Sequence, residues 1–220
     1  MGKLILLRHG ESVWNKKNIF TGWVDISLSK EGIREAFAAG KLLSKIKFDA
    51  IYTSELSRAQ VTLQLLMLEN EDNRTLYLDH GKEKWYNTGV DEENGIKAIV
   101  SKDLNERYYG DLQGKSKDAY KKQVGEKLFK EYRRSFKTPP PNGESLEMTI
   151  ERTLPYFEKE IFPIVKKGQT VLVVAHGNSL RGIIKEVLKI SDQEIVGYEI
   201  QTGKPLLFSF INNQFQEETV

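Results

Sequence analysis

Two stretches of this 220-residue chain share one hydrophobic pattern, an unbroken apolar run that stops abruptly at His-Gly. Leu4-Ile-Leu-Leu7 runs into Arg8-His9-Gly10, and Val171-Leu-Val-Val-Ala175 runs into His176-Gly177. Apolar runs this short, rich in β-branched residues, predict strands buried on both faces, and the Gly marks where the chain turns out of the sheet. Each histidine is therefore delivered to the C-terminal end of a strand, where open α/β sheets bind their ligands.

The remaining pattern predicts what surrounds those strands. Ser29 is placed to cap a helix whose Ile33, Phe37, Gly40 and Leu43 share one face. Phe48 to Tyr52 reads as a strand. Thr53-Ser54-Glu55 then opens a helix through Arg58, with Ala59, Leu63 and Leu66 inward. Between the first strand and Ser29, Lys16 to Asp25 has no period and reads as a loop over the strand end. Leu76 to Leu78 is a further short strand. From Asp79 to Lys102, Gly81, Gly89 and Gly95 break any period, so this stretch is expected to be a loop or lid, with His80 in a polar turn on the surface. Helical sequence resumes near Ser116 and runs to Phe136 with a break at Gly125. Pro139-Pro-Pro-Asn-Gly143 stops it. Ser145 caps a helix carrying Leu146, Ile150, Leu154, Phe157, Ile161 and Ile164, in which Pro155 predicts a kink and Pro163 an end. After His176 a helix turns Leu180, Ile183, Ile184, Val187 and Leu188 inward, and Leu206 to Phe210 forms a last strand. Strands alternating with helices predict an α/β fold with a mostly parallel central sheet flanked by helices on both faces. Residues 1–220 form one catalytic domain in this reading, with an excursion around 79–140.

Composition removes several classes of function. With no Cys, there are no disulfides, thiol nucleophiles or thiolate metal sites. The formal net charge of +2 gives no reason to expect nucleic acid. No apolar stretch approaches the ~20 residues that span a bilayer, and the chain enters a core strand at Leu4 without a charged leader. A soluble cytoplasmic protein with no membrane partner is the expectation. Two histidines without a third ligand make a poor zinc site, so no metal is expected.

What remains is chemistry for histidine, arginine and a carboxylate. Neutral imidazole is a competent nucleophile near neutral pH. Phosphoryl transfer suits it, since catalysis there rests on positioning and on neutralising the equatorial oxygens. Arg8 and Arg58 can supply that neutralisation with bidentate donors. The Gly after each His is expected to let a phosphate approach the backbone. Glu106, in Asn105-Glu-Arg-Tyr-Tyr-Gly110, is the best carboxylate to serve the leaving oxygen, and a bound phosphate would raise its pKa. Plainer readings stand beside these: strand-end histidines are often structural, Arg58 can pair on a helix surface, and Arg133-Arg134 reads as a solvated helix face.

Arg8-His9-Gly10-Glu11-Ser12, together with His176-Gly177, resembles the signature of the histidine phosphatase superfamily. Further matches lie at Phe20-Thr21-Gly22-Trp23, Tyr52-Thr-Ser54 with Arg58-Ala59, Leu104 to Arg107 with Tyr109-Gly110, Leu112-Gln-Gly114, Arg133-Arg134, Glu144-Ser-Leu146 and Ala175 to Arg181. Taken in order along the chain, they resemble the cofactor-dependent phosphoglycerate mutases. The resemblance implies that His9 carries a phosphoryl group, Glu106 gives and takes the proton, and His176, Arg8 and Arg58 stabilise the group in transfer. It further implies that Ser12, Asn15, Thr21, Gly22, Arg107, Tyr109, Lys117, Arg133, Arg134, Gly177 and Asn178 hold the substrate. That substrate would be a small-molecule phosphoglycerate, primed by 2,3-bisphosphoglycerate without metal, in a homo-oligomer, most simply a dimer. Two rivals share the pattern: a phosphomonoesterase of the same superfamily, and a silent binding protein on its scaffold. Three departures from the family stand out: the direct passage from Pro139–Gly143 to Glu144, the length of Asp79 to Lys102, and the short stretch after the last strand.

Overall fold

The computed structural model describes residues 1–81 and 94–218. Seven strands form one sheet: β1 (Gly2–Arg8), β2 (Ala50–Thr53), β3 (Thr75–Asp79), β4 (Gly95–Val100), β5 (Thr170–Ala175), β6 (Pro205–Ile211) and β7 (Gln214–Glu218). Their order is β3-β4-β2-β5-β1-β6-β7. The first five are mutually parallel, whereas β6 runs antiparallel to β1 and β7 antiparallel to β6. The mostly parallel sheet expected from the apolar runs is thus observed, with a hairpin added at one edge.

Period-two alternation sends the two sets of β1 and β5 side chains into separate cores. Leu4, Leu6, Val171 and Val173 face α5 (Leu146–Tyr156), α6 (Phe162–Lys166) and α7 (Gly177–Leu188). Ile5, Leu7, Leu172 and Val174 face α2 (Lys30–Leu42) and α3 (Ser57–Met67). A short α1 (Val13–Lys16) follows β1, α4 (Lys117–Arg134) lies over the strand ends, and α8 (Asp192–Gly197) precedes β6. Burial on both faces is why Leu4–Leu7 and Val171–Ala175 are apolar without a break, polar residues appearing only at the strand ends.

Several expectations need correction. Gly95–Val100 is a strand, not part of a long loop; Ile96 and Ala98 alternate inward while Lys97 stays exposed. His80 is exposed, as read, but the lid proposed for 79–102 falls at 82–93 outside the described residues. The inward face of α2 is Gly32, Ala36, Ala39 and Gly40, and Ile33 is exposed, because small residues let α2 approach its neighbours closely. The chain also stays helical past Pro163: a π-helical turn at Phe157–Ile161 joins α5 to α6. Its wider turn advances the face, so Val165 and not Ile164 continues the buried stripe. Strand β7, Gln-Phe-Gln-Glu-Glu, escaped the hydrophobic pattern because an edge strand can be polar. The break at Gly125 is present, with φ 84°. No helix among the described residues is long and apolar enough to cross a membrane.

The excursion from Lys102 to Ser145 lies over the C-terminal ends of the strands. It is tied there by a small cluster of Phe20, Leu112, Tyr120 and Phe129, which fastens the loop after α1 to α4. This attachment builds the second wall of the site.

Candidate active site

Register brings the histidines together. β1 and β5 pair in parallel with Arg8 opposite Ala175, so His9 and His176 leave the sheet side by side. His9 N–H donates to the Ala175 carbonyl at 3.0 Å, and the two rings lie 4.9 Å apart. His9 Nδ1 lies 2.7 Å from the Gly10 carbonyl. A carbonyl can only accept, so Nδ1 carries the proton and Nε2 keeps a free lone pair. His176 Nε2 pairs with Ser54 Oγ at 2.7 Å, and that oxygen in turn accepts from Leu56 N–H. Burial, then the charges of Arg58 and Arg8, holds the His9 pKa well below its ordinary value. His176 is lowered in the same way, by burial first. Both rings are neutral at neutral pH.

Glu106 arrives from the other side, beyond the end of β4. Its carbonyl accepts from Trp23 Nε1 and from Arg152 Nη2, the latter at 2.9 Å. Arg152 is itself gripped by Glu144 through Nε at 2.9 Å. The carboxylate is asymmetric: Oε1 accepts from Arg107 N–H at 2.7 Å and from both Asn178 N–H and Nδ2 at 3.1 and 2.8 Å. Oε2 has no such partner among the described residues. Burial opposes ionisation of Glu106, but those donors and the charges of Arg8 and Arg58 outweigh it and lower its pKa. In the free site it is a carboxylate.

Between these groups is a cavity of about 120 Å³. Among the described residues it is lined by Arg8, His9, Asn15, Thr21, Gly22, Arg58, Glu106, Tyr109, Lys117, Arg133, Arg134, Gly177 and Asn178, all of which the sequence singled out. Ile19, Phe20, Arg181 and Glu199 complete it and were missed as site residues. Arg181 sits three residues after Asn178 in the α7 turn, a spacing that places both on one helix face; Glu199 carried no signal. Three singled-out residues lie outside the lining. Ser12 is buried and caps α1, its Oγ accepting from Asn15 N–H at 3.1 Å. Arg107 lies behind the wall, donating from Nη2 to the Tyr132 and Arg133 carbonyls and stacking on Tyr109 at 4.4 Å. His176 stands behind His9 and is fully buried.

The arginines are set by backbone. Arg58, buried at the start of α3, donates from Nη2 to Gly22 at 2.7 Å and from Nη1 to Val24 at 3.1 Å, so it also moulds the loop that forms the cavity rim. Burial pushes its pKa down to about 10, which still leaves it charged. Arg8 Nη1 donates to the Ile200 carbonyl at 2.8 Å. Across the cavity, burial lowers the Lys117 and Arg133 pKa values. The Tyr109 phenol is lowered too; its burial acts the other way and is outweighed by Arg107 and Lys117.

One expectation fails here. Gly10 does not open the backbone to a phosphate: a Cβ there would strike the backbone of Gly32, and one on Gly32 would strike that of Glu11. The two glycines let α2 press against the turn that carries His9. Gly177 differs, lying with open contact to Arg8 and to Glu106 Oε2.

A neutral imidazole with a free lone pair, backed by a second imidazole and rimmed with guanidinium, can accept and return a phosphoryl group. The chain belongs to the histidine phosphatase superfamily (branch 1), which matches residues 4–79 and 88–220. Within the superfamily it is 47% identical over 222 residues to the 2,3-bisphosphoglycerate-dependent phosphoglycerate mutase of Chlamydia pneumoniae, covering 99% of this chain and 97% of that one. It is 48% identical over 213 residues to the enzyme of the same name from Methanococcus vannielii, covering 95% and 91%. Its fold matches Bacillus stearothermophilus YhfR, with a TM-score of 0.75 at 24% identity over 98% of this chain and 94% of that one. The α-ribazole phosphatase of Shigella flexneri superposes with a TM-score of 0.77 at 19% identity over 99% and 95%.

Proposed function

We propose that the protein is a 2,3-bisphosphoglycerate-dependent phosphoglycerate mutase that interconverts 3-phosphoglycerate and 2-phosphoglycerate through phosphorylated His9. The observation that carries the reading is the two-walled cavity. A nucleophilic site at His9 faces a second cationic wall of Lys117, Arg133 and Arg134 that a simple hydrolase of monoesters does not require.

In this reading His9 Nε2 attacks phosphorus; the N–P bond forms as the ester P–O bond breaks, and Glu106 Oε2 delivers the proton to the departing oxygen. In the reverse direction Glu106 takes the hydroxyl proton as that oxygen attacks phosphorus and the N–P bond breaks. The phosphate's negative charge raises the Glu106 pKa enough for the carboxyl to carry the proton between these events. Arg8 and Arg58 hold the equatorial oxygens, and His176 supports the transfer from behind His9, whose ring it packs against. Asn15, Thr21, Gly22, Tyr109, Lys117, Arg133, Arg134, Gly177 and Asn178 hold the carboxylate and the phosphate that is not moving. Ser12 and Arg107 act on the ligand indirectly, through α1 and through Tyr109.

The donor set suits 2,3-bisphosphoglycerate as well. Arg8 Nε and Thr21 Oγ1 are buried polar atoms without a hydrogen-bond partner, and six cationic side chains line the cavity. When bound, that molecule supplies the phosphoryl group that charges His9. No group of metal-ligating side chains occurs among the described residues, and metal-independent turnover in the cytoplasm, in a homo-oligomer, is part of the proposal.

The test is a coupled assay with 3-phosphoglycerate in the presence of chelator, with and without catalytic 2,3-bisphosphoglycerate. Turnover that requires the bisphosphate and survives chelation is expected. Release of inorganic phosphate without 2-phosphoglycerate would leave the nucleophile in place and overturn the mutase.

A further inference from the structure

The cavity holds two acids, and only one belongs to the chemistry above. Glu106 is buried and saturated on one oxygen. Glu199 stands on the rim with its side chain 66% exposed, on the segment between α8 and β6. Its Oε1 lies 2.6 Å from Arg134 Nη2, and its Oε2 lies 4.0 Å from Arg181 Nη2. Its partners are therefore cations of the cavity wall itself.

The geometry points to Glu199 as a displaceable counterion that sets the site's preference between mono- and bisphosphorylated ligands. The inference rests on the phosphoglycerate reading of the site. Arg181 is fixed by other bonds, Nε to the Tyr198 carbonyl at 2.9 Å and Nη1 to Asn178 Oδ1 at 3.0 Å, and its side chain is 11% exposed. Arg134 is looser: its side chain is 31% exposed, and its other bond reaches the Val196 carbonyl at 3.4 Å. A solvent-exposed ion pair is weak, whereas a guanidinium on a phosphate or carboxylate forms strong paired hydrogen bonds. An arriving anion therefore takes Arg134 from Glu199.

The displaced carboxylate remains at the rim, anchored by its neighbour Ile200, whose carbonyl holds Arg8. There it repels whatever negative charge the cavity contains. A second phosphate adds about −1.5 to −2 charges at neutral pH, so the bisphosphate feels this repulsion more than the monophosphate. Glu199 thus weakens the binding of the most highly charged ligand and keeps the primer from occupying the site at the substrate's expense.

The experiment measures binding of 3-phosphoglycerate and 2,3-bisphosphoglycerate by titration calorimetry in a His9→Asn background, which cannot be phosphorylated, with and without Glu199→Gln. Glu199→Gln is expected to tighten the bisphosphate about threefold and the monophosphate less than about twofold, as the loss of one largely exposed charge allows. The gap should close as salt shortens the screening length to about 3 Å near 1 M. Glu199→Asp, which keeps the charge, should restore the original ratio. An unchanged ratio, or weaker binding of both ligands, would make Glu199 a mere prop for Arg134 and overturn the inference. Turnover is assayed separately on the chain with His9 intact. A shifted binding ratio without mutase turnover would sustain Glu199's role and reject the mutase, and turnover with an unshifted ratio would do the reverse.

Discussion

Glu106 and His9 line the cavity and His176 stands behind it, and their environments drive their titrations to one side. Each histidine is buried among guanidiniums and folds neutral, with a pKa below its ordinary value. In the unfolded chain each would titrate near 6.5. Below that pH the unfolded chain binds more protons than the folded one, so stability falls as the solution is acidified through 6.5 and continues to fall until the lower folded pKa is reached. Each ring contributes about 1.4 kcal/mol per pH unit over that window. The lowered carboxyl of Glu106 adds in the same direction at lower pH, since its stabilisation is lost as it takes up a proton. Urea unfolding at pH 7.5, 6.5 and 5.5 should show this slope, and a flat profile would mean that the rings are solvated and not held neutral. At this scale the sequence was highly legible. A strand-end histidine alone reads as structural; it is the pair of His-Gly stretches, with Arg8, Arg58 and Glu106, that picks out residues the fold brings together. Ser54 behind His176 and the asymmetric loading of Glu106 were not legible, since both depend on distances between segments far apart in the chain.

At the scale of elements, α2 is positioned by absence of side chain. Gly32 in its first turn meets Gly10 and Glu11 backbone to backbone, while Glu35 one turn later accepts from Glu11 N–H at 2.7 Å and from Thr202 Oγ1 at 2.9 Å. Replacing Gly32 with Ala adds helix propensity of about 1 kcal/mol, but the overlap is with backbone and cannot be relieved by a rotamer. The expected net result is a loss of about 1–3 kcal/mol, read as a lower urea midpoint, together with reduced turnover as the His9 turn is displaced. A midpoint equal to or above that of the parent would show that the contact is loose. The hydrophobic pattern chose Ile33 for this face because it looks for large apolar residues, and an interface made of glycine and alanine leaves no such mark. The same limit explains β4 and β7. One is introduced by a glycine that resembled a loop, and the other is an edge strand whose polar composition resembled a tail.

For the whole molecule, six cations gathered at one end of a sheet store repulsion that a ligand relieves. Binding to the folded state alone stabilises it by about 2.7 kcal/mol at a hundred times Kd. In a chain of this size each kcal/mol moves Tm by roughly 2–4 °C. Scanning calorimetry with 3-phosphoglycerate at that excess should therefore raise Tm by about 5–10 °C, and an unmoved transition would refute an anion receptor at this position. Fold class was readable from the alternation of strands and helices. Strand order was not, because burial on both faces makes β1, β2 and β5 interchangeable as patterns; their pairing is decided by helices whose packing surfaces are nonlocal.

Two of the segments that line the cavity face each other across it. Arg8, His9, Gly177 and Asn178 issue from the paired ends of β1 and β5, in the most deeply buried part of the sheet. Tyr109, Lys117, Arg133 and Arg134 come from the excursion after β4, which is held down by its Leu112, Tyr120 and Phe129 packing against Phe20 of the loop after α1. In the proposed mechanism the phosphoryl-accepting histidine and most of the second cationic wall are thus written in separate passages of the gene, with Glu106 reaching from the later passage to the earlier. Drift in the second can change which acid is admitted while the first, locked by its glycines and its register, goes on moving phosphorus as before.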